Sequence, residues 1–264
     1  MLYINECINN ETPVRLVCSR EKKSLFGKTE PKVFFKNFNH AEFIGEELCG
    51  IRNIRCTHYF IAGLTSFKIN KTLKRGEIDK YSPSIGIGSY DFTEKDKNYK
   101  RIDDYEVRAN NGFESMLKHT KNEENKKQLC RDMLEMIALD IYMGQVDRST
   151  INFMFEEDGQ GNIRLAPLYD FEYSLSKNLL RMGNSDLYTS DLYSFDTIED
   201  CQEFIRKYPM FRNVLSSYLN VNLVEVISRS YSRRGLTIPS NRWNFYMDFD
   251  KSQKEKIQKI LTRA

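Results

Sequence analysis

Residues 123–143 restrict the fold more than any other stretch. Leu129, Cys130, Met133, Leu134, Ile137, Ala138 and Ile141 recur at the three-and-four spacing of an amphipathic helix, and Gly144 follows. That period predicts one long helix with a buried stripe, stopped by a glycine that can turn left-handed. Directly after it comes Gly144-Gln145-Val146-Asp147-Arg148-Ser149-Thr150-Ile151-Asn152-Phe153-Met154-Phe155. Residues 152–155 read as a short strand, 156–162 as a turn and 163–165 as the returning strand. The chain then reaches Ala166-Pro167-Leu168-Tyr169-Asp170-Phe171. A helix end and a hairpin thus direct Asp147, Asn152 and Asp170 toward a common point.

A carboxylate, an amide and a second carboxylate in one place suit phosphoryl transfer from Mg-ATP. One Asp serves the acceptor hydroxyl, and the Asn and other Asp serve magnesium. Two acids placed close together inside a protein are costly unless they hold a cation. Asp-x-x-x-x-Asn is the interval of the kinase catalytic loop, and Asp170-Phe171 opens like the metal-binding turn of kinases. Gln145-Val146 stands where His-Arg is usual, Ser149 replaces the loop Lys, and Glu172 replaces the Gly after Asp-Phe. The competing reading makes Asp147 and Asp170 turn caps and Asn152 a strand opener. The order of helix, loop, hairpin and Pro-Leu-Tyr-Asp favours the chemical one.

These segments resemble the HipA-like kinases, an atypical branch of the protein-kinase fold. The resemblance rests on Val146-Asp147-Arg148-Ser149-Thr150-Ile151-Asn152-Phe153 and on Leu165-Ala166-Pro167-Leu168-Tyr169-Asp170. It rests also on Val33-Phe34-Phe35-Lys36 followed by Ala41-Glu42-Phe43, and covers residues 30–175. It implies that Asp147 is the catalytic base, that Asn152 and Asp170 bind magnesium, and that Lys36 grips the ATP phosphates. Glu42 is the helix glutamate expected to support Lys36, with Glu46 one turn later as the alternative. The family's phosphate-covering loop can carry a phosphorylated serine, for which Ser19 and Ser24 are candidates. Its members modify protein serine, and some are toxins neutralised by a DNA-binding partner, so an antitoxin-like regulatory partner is implied as a possibility.

The N-terminal part reads as strands around one helix. Residues 12–18 and 32–38 have strand composition, and 40–52 is helical with Phe43, Ile44, Leu48 and Ile51 on one stripe. Phe34, Lys36 and Phe38 share a face in period two, which encloses the lysine; an edge-strand lysine is the other reading. Residues 58–62 and 65–69 look like a hairpin turning at Gly63. Residues 84–92 form a further strand, whose end at Ser89, Tyr90, Asp91 and Phe92 is the candidate adenine hinge. Gly86 and Gly88 in it can also mark tight packing. The polar run 93–110 marks the boundary, with strands before it and helices after it.

Residues 172–200 correspond to an activation segment, with Ser174, Ser176, Ser185, Thr189 and Ser190 as modifiable hydroxyls. Val146 removes the arginine that would read a phosphate there. From Thr197 onward, apolar clusters predict about five helical segments, the last being a charged C-terminal helix. The six cysteines include no Cys-x-x-Cys pair, which fits a reduced cytoplasmic protein. His40, Cys49, Cys56 and His58 match no zinc spacing. Forty basic against 37 acidic residues leave +3, which gives no sign of nucleic-acid binding, and no run is long enough to span a membrane.

The expectation is therefore an α+β, two-lobed protein-kinase-like fold. A small mixed lobe spans 1–95 and a mainly helical lobe 96–264. The expected function is ATP- and Mg-dependent transfer of the γ-phosphate to a hydroxyl, most simply a protein serine or threonine. A silent nucleotide-binding module or pseudokinase, or an AMP-transferring enzyme, is the alternative.

Overall fold

The computed structural model describes residues 2–4, 6–8, 15–17, 32–37, 39–64, 85–90, 92–94, 96–105, 112–146, 148–175 and 188–262. For 2–4, 6–8, 15–17, 32–37, 62–64, 85, 86, 90 and 189 it describes the backbone alone. Asp147, Asp91, Ser19, Ser24, Phe38, Ser176 and Ser185 lie outside the described residues. The chain divides into two units: Met1–Glu46 with Thr57–Phe92, and Glu47–Cys56 with Thr93–Ala264.

The first unit is built on a six-stranded sheet. Its strands are β1 (Leu2–Ile4), β2 (Glu6–Ile8), β3 (Arg15–Val17), β4 (Lys32–Asn37), β5 (Tyr59–Leu64) and β6 (Ile85–Tyr90). They lie in the order β1-β5-β6-β4-β3-β2. The β1–β5 pair is parallel and the other neighbours are antiparallel. β3, β4 and β6 follow from β-branched and aromatic composition. β1 and β2 are three residues each, too short to show alternation. The expected turn at Gly63 is absent: β5 runs through it, and Gly63 pairs with Ile85 of β6. Glycine permits a turn without requiring one, and here the strand continues. Residues 65–69, expected as the returning strand, lie outside the described residues. At Gly88, opposite Phe60, an added Cβ would overlap the Phe60 ring, so this glycine serves close packing.

Helix α1 (His40–Arg52) begins where Asn39 Oδ1 accepts the Ala41 N–H at 2.9 Å, a polar cap of the usual kind. Phe43, Ile44, Leu48 and Cys49 are completely buried. Ile51, expected on the same stripe, is instead exposed. It lies in the last turn, where the neighbouring Arg52 turns inward to Glu135.

In the second unit a three-stranded sheet of β7 (Asn98–Lys100), β8 (Phe155–Glu157) and β9 (Ile163–Leu165) stands beside helices α2 (Gly112–His119) and α3 (Glu123–Met143). β7 falls in the polar run read as a boundary, because its exposed edge needs no apolar pattern. α3 has the predicted limits. Asn122 Oδ1 accepts the Glu124 and Asn125 N–H groups at its start, and Gly144 ends it at φ 61°. From Met133 to Met143 every residue is buried, not only a stripe. That half packs among α2, β9, α5 (Pro209–Ser217) and α7 (Ser240–Thr262), and a helix enclosed on all sides buries its whole circumference, here including the acids Glu135 and Asp140. Strand β8 starts at Phe155, three residues later than expected, since residues 152–154 are held in the loop described below.

A short hairpin of β10 (Tyr188–Thr189) and β11 (Ser194–Phe195) precedes α4 (Ile198–Lys207). Thr197 and Asp200 cap α4 reciprocally. α6 (Leu223–Ser232) lies between α5 and α7. The two last expected segments are one helix, α7, of 23 residues. No glycine or proline interrupts it, and Pro239 stands just before its start. Among the described residues no helix is long and apolar enough to cross a membrane.

Candidate active site

Arg148 organises the loop between α3 and β8. Its side chain is wholly buried, as is that of Asp140 in the last turns of α3. Arg148 Nε donates to Asp140 Oδ2 at 3.0 Å and Nη2 to Oδ1 at 2.8 Å, a two-pronged ion pair. Tyr188 donates its hydroxyl to the same Asp140 Oδ2 at 3.2 Å. The remaining nitrogen, Nη1, donates to the Asn152 carbonyl at 2.8 Å and to the Tyr169 carbonyl at 2.7 Å. The Phe171 ring lies 5.2 Å from the guanidinium carbon. Burial opposes the charge on Arg148, and the Asp140 carboxylate outweighs it, raising the guanidinium above its ordinary range. The arginine is thus a fixed cation.

One nitrogen atom consequently ties the backbone of Asn152 to the residue preceding Asp170. These candidates are eighteen positions apart in sequence, and β8 and β9 close the interval between them. Further bonds hold the same two segments. Gln145 Nε2 donates to the Asp170 carbonyl at 2.8 Å, and the Tyr169 hydroxyl donates to the Ile151 carbonyl at 2.9 Å. Burial pushes that hydroxyl up to about 12, so it remains a donor. Asn152 N–H donates to the Ser149 carbonyl at 2.9 Å, closing the loop on itself.

Asp170 has φ 63°, a left-handed backbone that costs a non-glycine residue of order 1 kcal/mol. Aspartate tolerates it better than most residues. The bonds from Gln145 and Arg148 to carbonyls 170 and 169 hold that conformation in place. Asn152 is nearly buried and Asp170 half-buried.

The β10–β11 hairpin supports the loop from another side. Arg148 and Ser190 form an isolated backbone bridge, and Asp191 accepts the Thr150 N–H at 2.5 Å. Gly112, at the start of α2, touches this hairpin closely. A Cβ there would meet the Asp191 and Leu192 carbonyls at 2.8 Å.

Of the candidates in the first unit, Lys36 lies on β4 opposite Ile87, two positions from the Phe34–Ser89 pair, so Lys36 and Ser89 occupy adjacent strands. Tyr90 ends β6 and the half-buried Phe92 follows it. Glu42 is fully buried in the first turn of α1. Glu46, the alternative to it, has Oε1 2.5 Å from His58 Nδ1, and its Oε2 accepts the Tyr59 N–H at 3.2 Å. It anchors the start of β5.

The structure draws Asn152 and Asp170 together within the second unit, and Lys36, Ser89 and Tyr90 within one sheet of the first. Sequence reasoning gave no role to Asp140 or Tyr188 and none to Arg148 beyond its place in the motif. The one available signal was Asp140 itself, an acid inside the apolar run Ala138-Leu139-Asp140-Ile141-Tyr142. An acid so placed requires a buried partner.

The folded chain has the HipA-like kinase fold, a mixed α+β arrangement. One solved structure like it is the proinflammatory kinase CtkA of Helicobacter pylori, with a TM-score of 0.58 and 13% identity. The likeness covers 97% of this chain and 95% of that one. Another is HipA of Shewanella oneidensis MR-1, from a toxin–antitoxin complex with HipB and operator DNA, with a TM-score of 0.55 and 13% identity. Here 97% of this chain matches 63% of the HipA chain. No protein-family model matches the sequence, and no curated protein matches it either.

Proposed function

We propose that this protein is an ATP- and Mg-dependent kinase that transfers the γ-phosphate to a hydroxyl, with protein serine or threonine as acceptor. The observation that carries the reading is the Arg148 Nη1 bridge, which holds Asn152 and the residue before Asp170 on one donor. The kinase-type fold supports it. Asn152 and Asp170 offer an amide oxygen and a carboxylate, hard donors of the kind magnesium takes from proteins. They would hold the metal, which when bound supplies charge neutralisation at the phosphates. Asp147 accepts or orients the hydroxyl proton. Lys36, supported by Glu42, steadies the phosphates, and the backbone at Ser89, Tyr90, Asp91 and Phe92 receives the adenine. In this reading residues 1–95 and 96–264 act as two lobes.

A protein acceptor is favoured by Val146, Ile151 and Tyr173, large apolar side chains exposed on the loop segments that carry the candidate residues. Exposed apolar groups beside a reactive centre suit a polypeptide better than a small polar acceptor. An antitoxin-like partner belongs to the same proposal, supported by the complex in which the Shewanella HipA was solved.

The test is incubation of the protein and of Asp147→Asn with γ-labelled ATP and magnesium. Label on the intact protein or on a co-purifying protein, absent from the variant, is the expected result. Stabilisation by Mg-ATP with no label would instead define a silent nucleotide-binding module. A mass gain of AMP would define adenylyl transfer.

A further inference from the structure

We propose a second binding site in the second unit, for the dianionic head of a phosphate monoester. It is a cavity of about 260 Å³ where the end of α1 and the residues after it meet α3 and β9. Arg52, Arg55, Arg131 and Arg164 line it, with Asp132 and Glu135. None of these belongs to the loop held by Arg148, so the site is independent of the proposed kinase reaction.

The guanidinium groups differ in how much of their donor capacity is used. Arg55 is the most engaged: Nη1 and Nη2 donate to the two Glu156 oxygens at 2.5 and 2.6 Å, and Nη1 donates also to the Leu165 carbonyl at 3.2 Å. Arg52 places Nη2 against both Glu135 oxygens at 3.0 and 3.1 Å and its guanidinium carbon 5.2 Å from the centre of the Tyr218 ring, and its Nε–H is shielded from solvent with no acceptor in hydrogen-bonding geometry. Arg164 has only a loose ion pair, Nη2 to Asp132 Oδ2 at 3.7 Å, and its Nε–H is likewise shielded without an acceptor. Arg131 is exposed and, among the described residues, its side chain makes no hydrogen bond or ion pair.

Two buried donors and one buried acceptor, Asp132 Oδ2, lack hydrogen-bond partners at one cavity, which is costly to the free protein; an oxyanion with several lone pairs would satisfy the two donors. Four guanidinium charges stand against the carboxylates of Asp132, Glu135 and Glu156, which leaves a positive excess. A phosphate monoester brings a charge of about −1.5 to −2 and three acceptor oxygens. Arginine forks match its geometry. The volume falls just below the roughly 300–1,000 Å³ of pockets for drug-sized ligands. It therefore admits a phosphoryl head on a short stem rather than a whole nucleotide.

The test is isothermal titration calorimetry of the full chain with O-phospho-L-serine, with serine as the control. Binding of the phosphorylated form alone is expected, weakened about tenfold or more in Arg131→Gln and in Arg164→Gln. Both side chains reach solvent, and circular dichroism confirms that each variant is folded. A short phosphoserine peptide run in parallel identifies the source. Tighter binding than the free amino acid indicates a protein-borne phosphate, and equal or weaker binding indicates a small metabolite; either supports the site. No heat from the intact protein with O-phospho-L-serine, or equal affinity in both folded variants, overturns it.

Discussion

Arg148 is fully committed: its three nitrogens serve one carboxylate and two carbonyls. Removing it leaves Asp140 buried opposite only a tyrosine hydroxyl, and breaking a buried ion pair from one side costs about 3–5 kcal/mol. Arg148→Ala should lose that much in urea denaturation, and Arg148→Lys should recover only part, because an ammonium cannot serve all four acceptors. A loss below about 1 kcal/mol, the range of exposed pairs, would contradict the role assigned here. Glu156 gives a pH-dependent counterpart. Burial pushes its carboxyl up, but the Arg55 fork, with Lys97 3.7 Å away, outweighs this and holds it below the ordinary 4.5. A lowered carboxyl stabilises the folded state above its unfolded value and loses that contribution as pH falls through the folded one. Acid titration of stability below pH 4.5 should therefore be steeper for the intact protein than for Glu156→Gln. Parallel curves would remove the Arg55 pair from the account.

At the level of elements, two glycines make opposite predictions from a third. Gly144 ends α3 in the left-handed region, so Gly144→Ala should cost about 1 kcal/mol. Gly112→Ala would press a methyl against the Asp191 and Leu192 carbonyls and should cost about 1–3 kcal/mol. Gly159, with open space around it, should accept alanine with almost no change in thermal stability. Equal losses at all three would mean that α2 and α3 do not hold the loop as described. The limits of α3 and the presence of β4 and β6 were legible because period, composition and glycine placement are local signals. β1, β2 and β7 were not, since a three-residue strand at an edge is fixed by its neighbour rather than by its own pattern. The false turn at Gly63 has the same origin, for only the pairing with Ile85 shows that the strand goes on. The one-helix course of α7 was hidden by its two separated apolar clusters.

For the whole molecule, the proximity of Asn152 to Asp170 was legible because spacing in a loop and hairpin is a one-dimensional signal; Asp147 lies outside the described residues. The clamp that joins Asn152 and Asp170 was not legible, because it depends on Asp140, Arg148 and Tyr188 converging from a helix, a loop and a later hairpin. If the fold binds Mg-ATP, the ligand should raise thermal stability by about 2.7 kcal/mol at a hundred times its dissociation constant. The increment should be largely lost in Asp170→Asn. The most direct measurement is electron paramagnetic resonance of Mn²⁺ titrated into the protein with ATP, for the intact chain, Asn152→Ala and Asp170→Asn. An ATP-dependent bound-manganese signal is expected in the intact chain, weakened about tenfold or more by either substitution. The same bound signal in all three proteins, or none in any of them, would contradict a metal site at Asn152 and Asp170.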